Sequence, residues 1–199
     1  MIYSLIENIH SFTHCIYTMK ITIRQANEAD ISLLADIGRQ TFYDAFKDNN
    51  SSQENFEKYL VEAFDLQKTT NDFHTNTNLF LLAENEKKEA VAYAKLRWDG
   101  RRDNLMPYKN YIEVERIYVQ KNYWSMGIGK LMMEGISSLA HEREYAYVCL
   151  SVYEENAAAI RFYKRLGFQD VGVVIFELGD VVERDILMMR NVTRTFLSE

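Results

Sequence analysis

Apolar positions along this chain recur with two periods, and each period marks out an element. Lys20 to Gln25 alternates apolar and polar residues, as a half-buried strand does. Asn27 or Asp30 can cap the helix that follows, whose Ile31, Leu34, Ile37, Phe42 and Phe46 share one face. Ser51 or Ser52 starts a second helix, with Phe56, Tyr59, Leu60, Ala63 and Phe64 as its apolar stripe. Asn78 to Ala83 and Ala90 to Trp98 read as strands on either side of the charged turn Glu84 to Glu89. Asp99 to Lys109 is a loop carrying Arg101, Arg102 and Pro107, and Tyr111 to Val119, rich in Tyr, Ile and Val, is the strongest strand. Gly127 opens a helix with Ile128, Leu131, Met132, Ile136 and Leu139 at helical spacing, and Tyr147 to Val152 reads as a buried strand. Asn156 caps a helix from Ala157 to Leu166, which Gly167 stops. Phe168 to Leu178 and Glu183 to Met189, joined at Gly179-Asp180, close the chain as strands. This order predicts an α/β (α+β) domain, a mixed sheet with helices on both faces.

Residues 1–18 read differently. They hold Tyr3, Phe12 and Tyr17, without the basic start and compact apolar stretch of a secretory signal. The domain is expected over 19–199, beginning at Met19, with 1–18 as an extension: an extra helix or a product of start-site choice.

Composition narrows the function classes. The 199 residues suit one domain, and a single proline and few glycines leave no flexible linker. A net charge of −6 disfavours nucleic acid and anionic membranes and suits a cationic partner, although solubility alone is the simpler account of it. No apolar run reaches membrane-spanning length. Cys15 and Cys149 form no C-x-x-C pair, and with His10, His14, His74 and His141 they give no zinc spacing, so no metal site is expected. Two cysteines make no disulfide framework, which fits a cytoplasmic protein.

Two segments carry chemistry. Tyr123 to Lys130 places Gly127 and Gly129 between the strongest strand and a helix. Backbone N–H groups in such a turn converge on an anion, and the helix dipole adds to the attraction. A P-loop or dinucleotide fingerprint fits poorly, because Met132 stands where either pattern needs another residue. In the second segment, Asn156 to Phe168, Ala159, Phe162, Tyr163 and Leu166 share a helical face, and Ala157 to Ala159 would let another group approach closely. Either segment alone could be structural.

Together, in this order, they resemble the GNAT superfamily of N-acetyltransferases. The acetyl-CoA loop of that superfamily, [QR]-x-x-G-x-[GA], is matched from Trp124 to Gly129, and N-x-x-A-x-x-F-Y-x-x-x-G-F is matched from Asn156 to Phe168. The resemblance covers essentially everything after Met19. It implies a mostly antiparallel twisted sheet of about seven strands, splayed between Tyr111–Val119 and Tyr147–Val152. It also implies acetyl-CoA as co-substrate, held by the backbone of Ile117, Tyr118 and Val119, by Trp124, Ser125, Met126, Gly127, Ile128, Gly129 and Lys130, and by Asn156. Trp124 departs from the pattern, since the loop normally starts with Gln or Arg; an indole offers one donor and no charge, and packing on the loop is its simpler role.

Side chains alternate along a strand, so Glu113 and Glu115 share a face. Two adjacent carboxylates should raise one pKa; a solvated face or an ion pair with Arg97 or Arg116 is the alternative. The position of Glu115 ahead of Gly127 matches the proposed base of spermidine/spermine acetyltransferases. Thr41 to Ser51, Tyr59 to Phe64 and Ile112 to Val119 look like bacterial PaiA-type polyamine acetyltransferases. The resemblance therefore implies a small cationic amine as acceptor, contacted by Glu113, Asp44, Asp48 and Glu62, each of which would otherwise be an ordinary solvated charge. It implies direct transfer with Glu115 as base and Tyr163 as acid, the amide of Ile117 polarising the carbonyl, and it leaves a homodimer open. Another small amine, a protein amine, or a non-catalytic acyl-CoA-binding regulator are the competing readings.

Overall fold

The computed structural model describes residues 12–16, 19–47, 53–178 and 181–193. Eight strands form one sheet in the spatial order β1-β2-β3-β4-β5-β6-β8-β7: β1 (Phe12–Ile16), β2 (Met19–Gln25), β3 (Asn78–Glu84), β4 (Ala90–Arg97), β5 (Tyr111–Val119), β6 (Tyr147–Tyr153), β7 (Gln169–Leu178) and β8 (Val181–Asn191). Among the described residues only β5 and β6 pair in parallel. The helices are α1 (Ile31–Phe46), α2 (Gln53–Ala63), α3 (Leu66–Phe73), α4 (Ile128–Glu142) and α5 (Ala157–Arg165).

Alternation of side chains divides the core. Leu79, Leu81 and Ala83 of β3 pack on the face covered by α4, with Met132, Met133 and Ile136 fully buried there. Phe80 and Leu82 point the other way, against Leu34 and Ile37 of α1. Asn27 closes a capping box with Asp30, and that turn runs straight into α1. A third cluster, Phe56, Leu60, Ala63 and Phe64, joins α2 to Phe42 and Phe46.

The sheet follows the expected mostly antiparallel plan, with eight strands among the described residues, and one of them lies where an added helix was an option: Phe12–Ile16 pairs antiparallel with β2. Helix α3 was not expected. Its sequence is polar, and it is held by its neighbours: Asp65 caps it, Phe73 stacks on Phe80, and Asp72 pairs with Lys95 of β4. Strict alternation also fails in β5. Lys95 pairs with Arg116 and Leu96 with Val114, so Glu115 is the extra residue of a β-bulge. Ile112 and Val114 before it, and Ile117 and Val119 after it, all pack toward the α4 face. Glu113, Glu115, Arg116 and Tyr118 are left on the other. The expected joints at Ser51, Ser52 and Gly179-Asp180 lie outside the described residues.

Pairing of β5 with β6 ends at Val114↔Leu150, while β6 continues along β8 to Tyr153↔Asp185. Beyond Val114 the two strands part, as the resemblance implies.

Gly38 of α1 lies where a Cβ would come within 2.6 Å of the Phe64 ring and 3.2 Å of the Tyr93 hydroxyl. Gly38→Val should therefore overpack this contact and destabilise the fold by about 1–3 kcal/mol, outweighing the gain in helix propensity. Urea denaturation checks this; an unchanged midpoint would mean that α1 and Phe64 are not in close contact.

Candidate active site

The opening between β5 and β6 leads into a cavity of about 600 Å³ between α1, α2, β5, β6, α5 and β8. Of the residues expected from sequence, Glu115, Ile117, Tyr118, Asn156 and Tyr163 line it. Alternate backbone groups of Ile117 to Val119 face the opening, because β6 no longer pairs there.

Beside β5, the chain turns into α4 through two left-handed residues, Ser125 (φ 62°) and Gly127 (φ 82°). Gly127 is the N-cap of α4 and supplies no side-chain cap. The first amides of the helix, at Ile128, Gly129 and Lys130, therefore have no intrahelical acceptor. A left-handed serine followed by an uncapped helix end is a cradle for a polyanion, so these residues fit the pyrophosphate of a coenzyme A molecule. The indole N–H of Trp124 donates to the Val119 carbonyl at 2.7 Å, tying the loop to the end of β5. Its single donor is thereby used on a backbone group that the resemblance gave to the pantetheine arm. Asn156 caps α5, its Oδ1 accepting from the Ala159 amide.

Tyr163 packs edge-on between Phe162 and Phe168, and its hydroxyl makes no hydrogen bond among the described residues. Burial pushes this phenol up to about 12. It is a donor that stays protonated at neutral pH.

The two strand carboxylates do not act on each other. Glu113 is buried, and Arg101 and Arg102 hold both its oxygens at 2.7–2.9 Å. Burial by itself would raise its pKa; the Arg101 hydrogen bonds and the charge of Arg102 outweigh that and hold it below the ordinary range. Glu115 accepts from the buried Lys95 ammonium at 2.9 Å, pairs closely with Arg97, and has Arg116 at 4.0 Å. The ion-pair alternative is thus the observed one. The remaining acceptor candidates stand away from the cavity: Asp44 accepts from Gln40 on α1, and exposed Glu62 faces Lys58 on α2. Asp48 lies outside the described residues. Half-buried Asp44 and exposed Glu62 miss the cavity because the apolar stripes of α1 and α2 turn toward it.

Sequence reasoning missed Asp185. It lines the cavity from β8, accepts from Ser151 at 2.9 Å, and is raised in pKa by burial, which the Ser151 hydrogen bond and the Arg102 charge only partly offset. Its strand was expected; nothing in the local pattern distinguished it from any other strand acid.

Residues 39–168 match the model of the acetyltransferase (GNAT) family, and the chain belongs to that family. It is an N-acetyltransferase of the acyl-CoA-dependent kind. An uncharacterized N-acetyltransferase of Lactobacillus delbrueckii subsp. lactis is 29% identical over 170 residues, 85% of this chain and 96% of that relative. The spermine/spermidine N(1)-acetyltransferase of Bacillus subtilis is 32% identical over 74 residues, 37% of this chain and 49% of that one. Among solved structures, the PaiA N-acetyltransferase of Thermoplasma acidophilum in complex with coenzyme A superposes with a TM-score of 0.66 at 20% identity, covering 86% of this chain and 98% of that one. Among the described residues there is no cluster of metal-ligating side chains, and no helix is long and apolar enough to cross a membrane.

Buried Glu113 and half-buried Asp185 should respond oppositely to neutralisation. Glu113 has a lowered folded pKa, so its contribution is present above about pH 4.3 and lost as pH falls through the folded value. Glu113→Gln should cost about 3–5 kcal/mol at pH 7 by stranding two arginines. Asp185 has a raised folded pKa, so its ionisation opposes folding increasingly as pH rises above the ordinary aspartate value. Asp185→Asn should raise stability at pH 7. Denaturant midpoints across pH 3–8 check both; effects of the same sign would contradict the assignment.

Proposed function

We propose that the chain transfers the acetyl group of acetyl-CoA to a small primary amine by direct attack in a ternary complex. The observation that carries this is three neighbouring features: the uncapped α4 amides, whose Gly129 lies against Val119 of β5 and Phe162 of α5, the unpaired stretch of β5, and the free Tyr163 hydroxyl in the cavity. Bound acetyl-CoA supplies a thioester, whose carbonyl carbon gains a bond to the amine nitrogen and loses its bond to sulfur.

The protein's groups divide the work. The amides of Ser125 to Lys130 hold the pyrophosphate, and the open edge of Ile117 to Val119 holds the arm, with an amide near Ile117 at the carbonyl oxygen. Tyr163 donates to the sulfur as negative charge develops there. With its pKa pushed up to about 12, it serves as a strong-geometry hydrogen-bond donor more than as a source of a freely lost proton. An aliphatic ammonium has a pKa of about 10.4 and must lose a proton before attack. Of the two carboxylates in the cavity, Glu115 is held by Lys95 and Arg97, so we assign it to positioning. Asp185, raised toward the working pH, takes the proton.

The polyamine acceptor implied by the resemblance has the name of the Bacillus relative in its support. Arginines facing the cavity favour a second acceptor class, argued below.

Acetyl-CoA should raise the melting temperature, with about 2.7 kcal/mol of stabilisation at a hundred times its dissociation constant. Tyr163→Phe should lower kcat about 10²–10³-fold with little change in the KM for acetyl-CoA. No calorimetric binding of coenzyme A at millimolar concentration would end the transferase reading.

Asp185→Asn should lower kcat/KM most near pH 7, the gap narrowing toward pH 9 as solvent delivers more neutral amine. Should Glu115→Gln show that profile while Asp185→Asn follows wild type, the proton acceptor is Glu115.

A further inference from the structure

Which groups face the cavity bears on the charge of the acceptor. Glu113 lies behind the wall, and its two arginines lie in front. Arg101 uses Nε and Nη2 on Glu113; Arg102 uses Nε on Glu113 and points Nη2 at the Ser151 hydroxyl, 3.4 Å away. Nη1 of each makes no hydrogen bond among the described residues, and both side chains line the cavity. A guanidinium presents its donors as a planar fork that matches a carboxylate, and pairing with Glu113 fixes the direction of that fork.

On the other side of Ser151 stands Asp185, accepting from the same hydroxyl at 2.9 Å. Cationic donors and a carboxylate acceptor are thus one hydroxyl apart. A molecule whose amino and anionic groups are joined by a short carbon bridge spans that interval. A polyamine needs several carboxylates instead. Glu115 is already held by Lys95 and Arg97, which leaves Asp185 as the carboxylate of the cavity that no described cation holds within ion-pair distance.

Resting on the amine-acetylating reading above, we propose that the acceptor is a primary amine bearing its own carboxylate, of the amino-acid class. Arg101 and Arg102 hold the carboxylate, and Asp185 faces the amino group.

The test pairs each member of an amino-acid panel with its decarboxylated amine (leucine with 3-methylbutylamine, phenylalanine with phenethylamine), and includes spermidine. Binding is measured by calorimetry with and without coenzyme A, and transfer is followed as thiol release from acetyl-CoA. At least one amino acid should bind and turn over about ten- to a hundredfold better than its amine, the worth of charged hydrogen bonds. That preference should shrink in Arg102→Gln and return in part in Arg102→Lys. Half-exposed Arg101→Gln provides the same reading should Arg102→Gln fail to fold. Spermidine or the decarboxylated amines binding as well as every amino acid, or a preference unmoved by Arg101→Gln, overturns the proposal. Loss of coenzyme A binding would instead overturn the transferase reading, and the amine comparison without coenzyme A would still stand.

Discussion

Everything at the site depends on where β5 stops pairing with β6. A buried sheet normally satisfies every backbone donor and acceptor, and an interruption leaves polar groups that need another partner. Here pairing ends at Val114↔Leu150, and the next residue, Glu115, is the bulge on the opposite edge of β5. The bulge redirects the strand and turns both Glu115 and Arg116 to the α1 face. The opening does not close up, because Ile117, Val119, Leu150 and Val152 remain packed on the α4 side beneath it. An extended ligand can then supply the missing strand, and the uncapped end of α4 lies next along the chain to receive its charged end.

Buried charge is the second constraint. Lys95 is almost wholly enclosed, and it ties Asp72 of α3 to Glu115 of β5. Such groups cost several kcal/mol to desolvate and are kept only when their partners are in place. Their arrangement fixes direction as much as stability. Glu113 and Glu115 are used to aim arginines and a lysine, whereas Asp185 accepts from the Ser151 hydroxyl at the cavity wall. A strand acid with Ser151 as its one hydrogen-bond donor among the described residues is a weaker structural element than either glutamate.

Much of this was legible in the sequence, for physical reasons that differ from place to place. The helices α4 and α5 and the strand β5 announce themselves by period, cap and composition, and the two glycine-containing segments fall at the start of α4 and along α5. Tyr163 could be selected because a hydroxyl on an otherwise apolar stripe requires a use. The rest depended on tertiary contacts. Helix α3 exists through its cap and its contacts with Phe80 and Lys95, and only Asp65 could have signalled it locally. The bulge at Glu115 is a pairing event, invisible to alternation. Glu113 and Glu115 read as a carboxylate pair because Arg101 and Arg102 lie in a loop whose path no pattern gives. Asp185 belongs to the site only because β8 inserts between β6 and β7.

The central claim is that the parted strand and the bare helix end form one coenzyme A site. Amide hydrogen exchange with and without coenzyme A tests it residue by residue. The account predicts slowed exchange at Gly127 to Lys130 together with Ile117 to Val119. Protection absent from both segments, or confined to the groove lined by Ser137, His141 and Asn191 along the C-terminal half of α4, would contradict it.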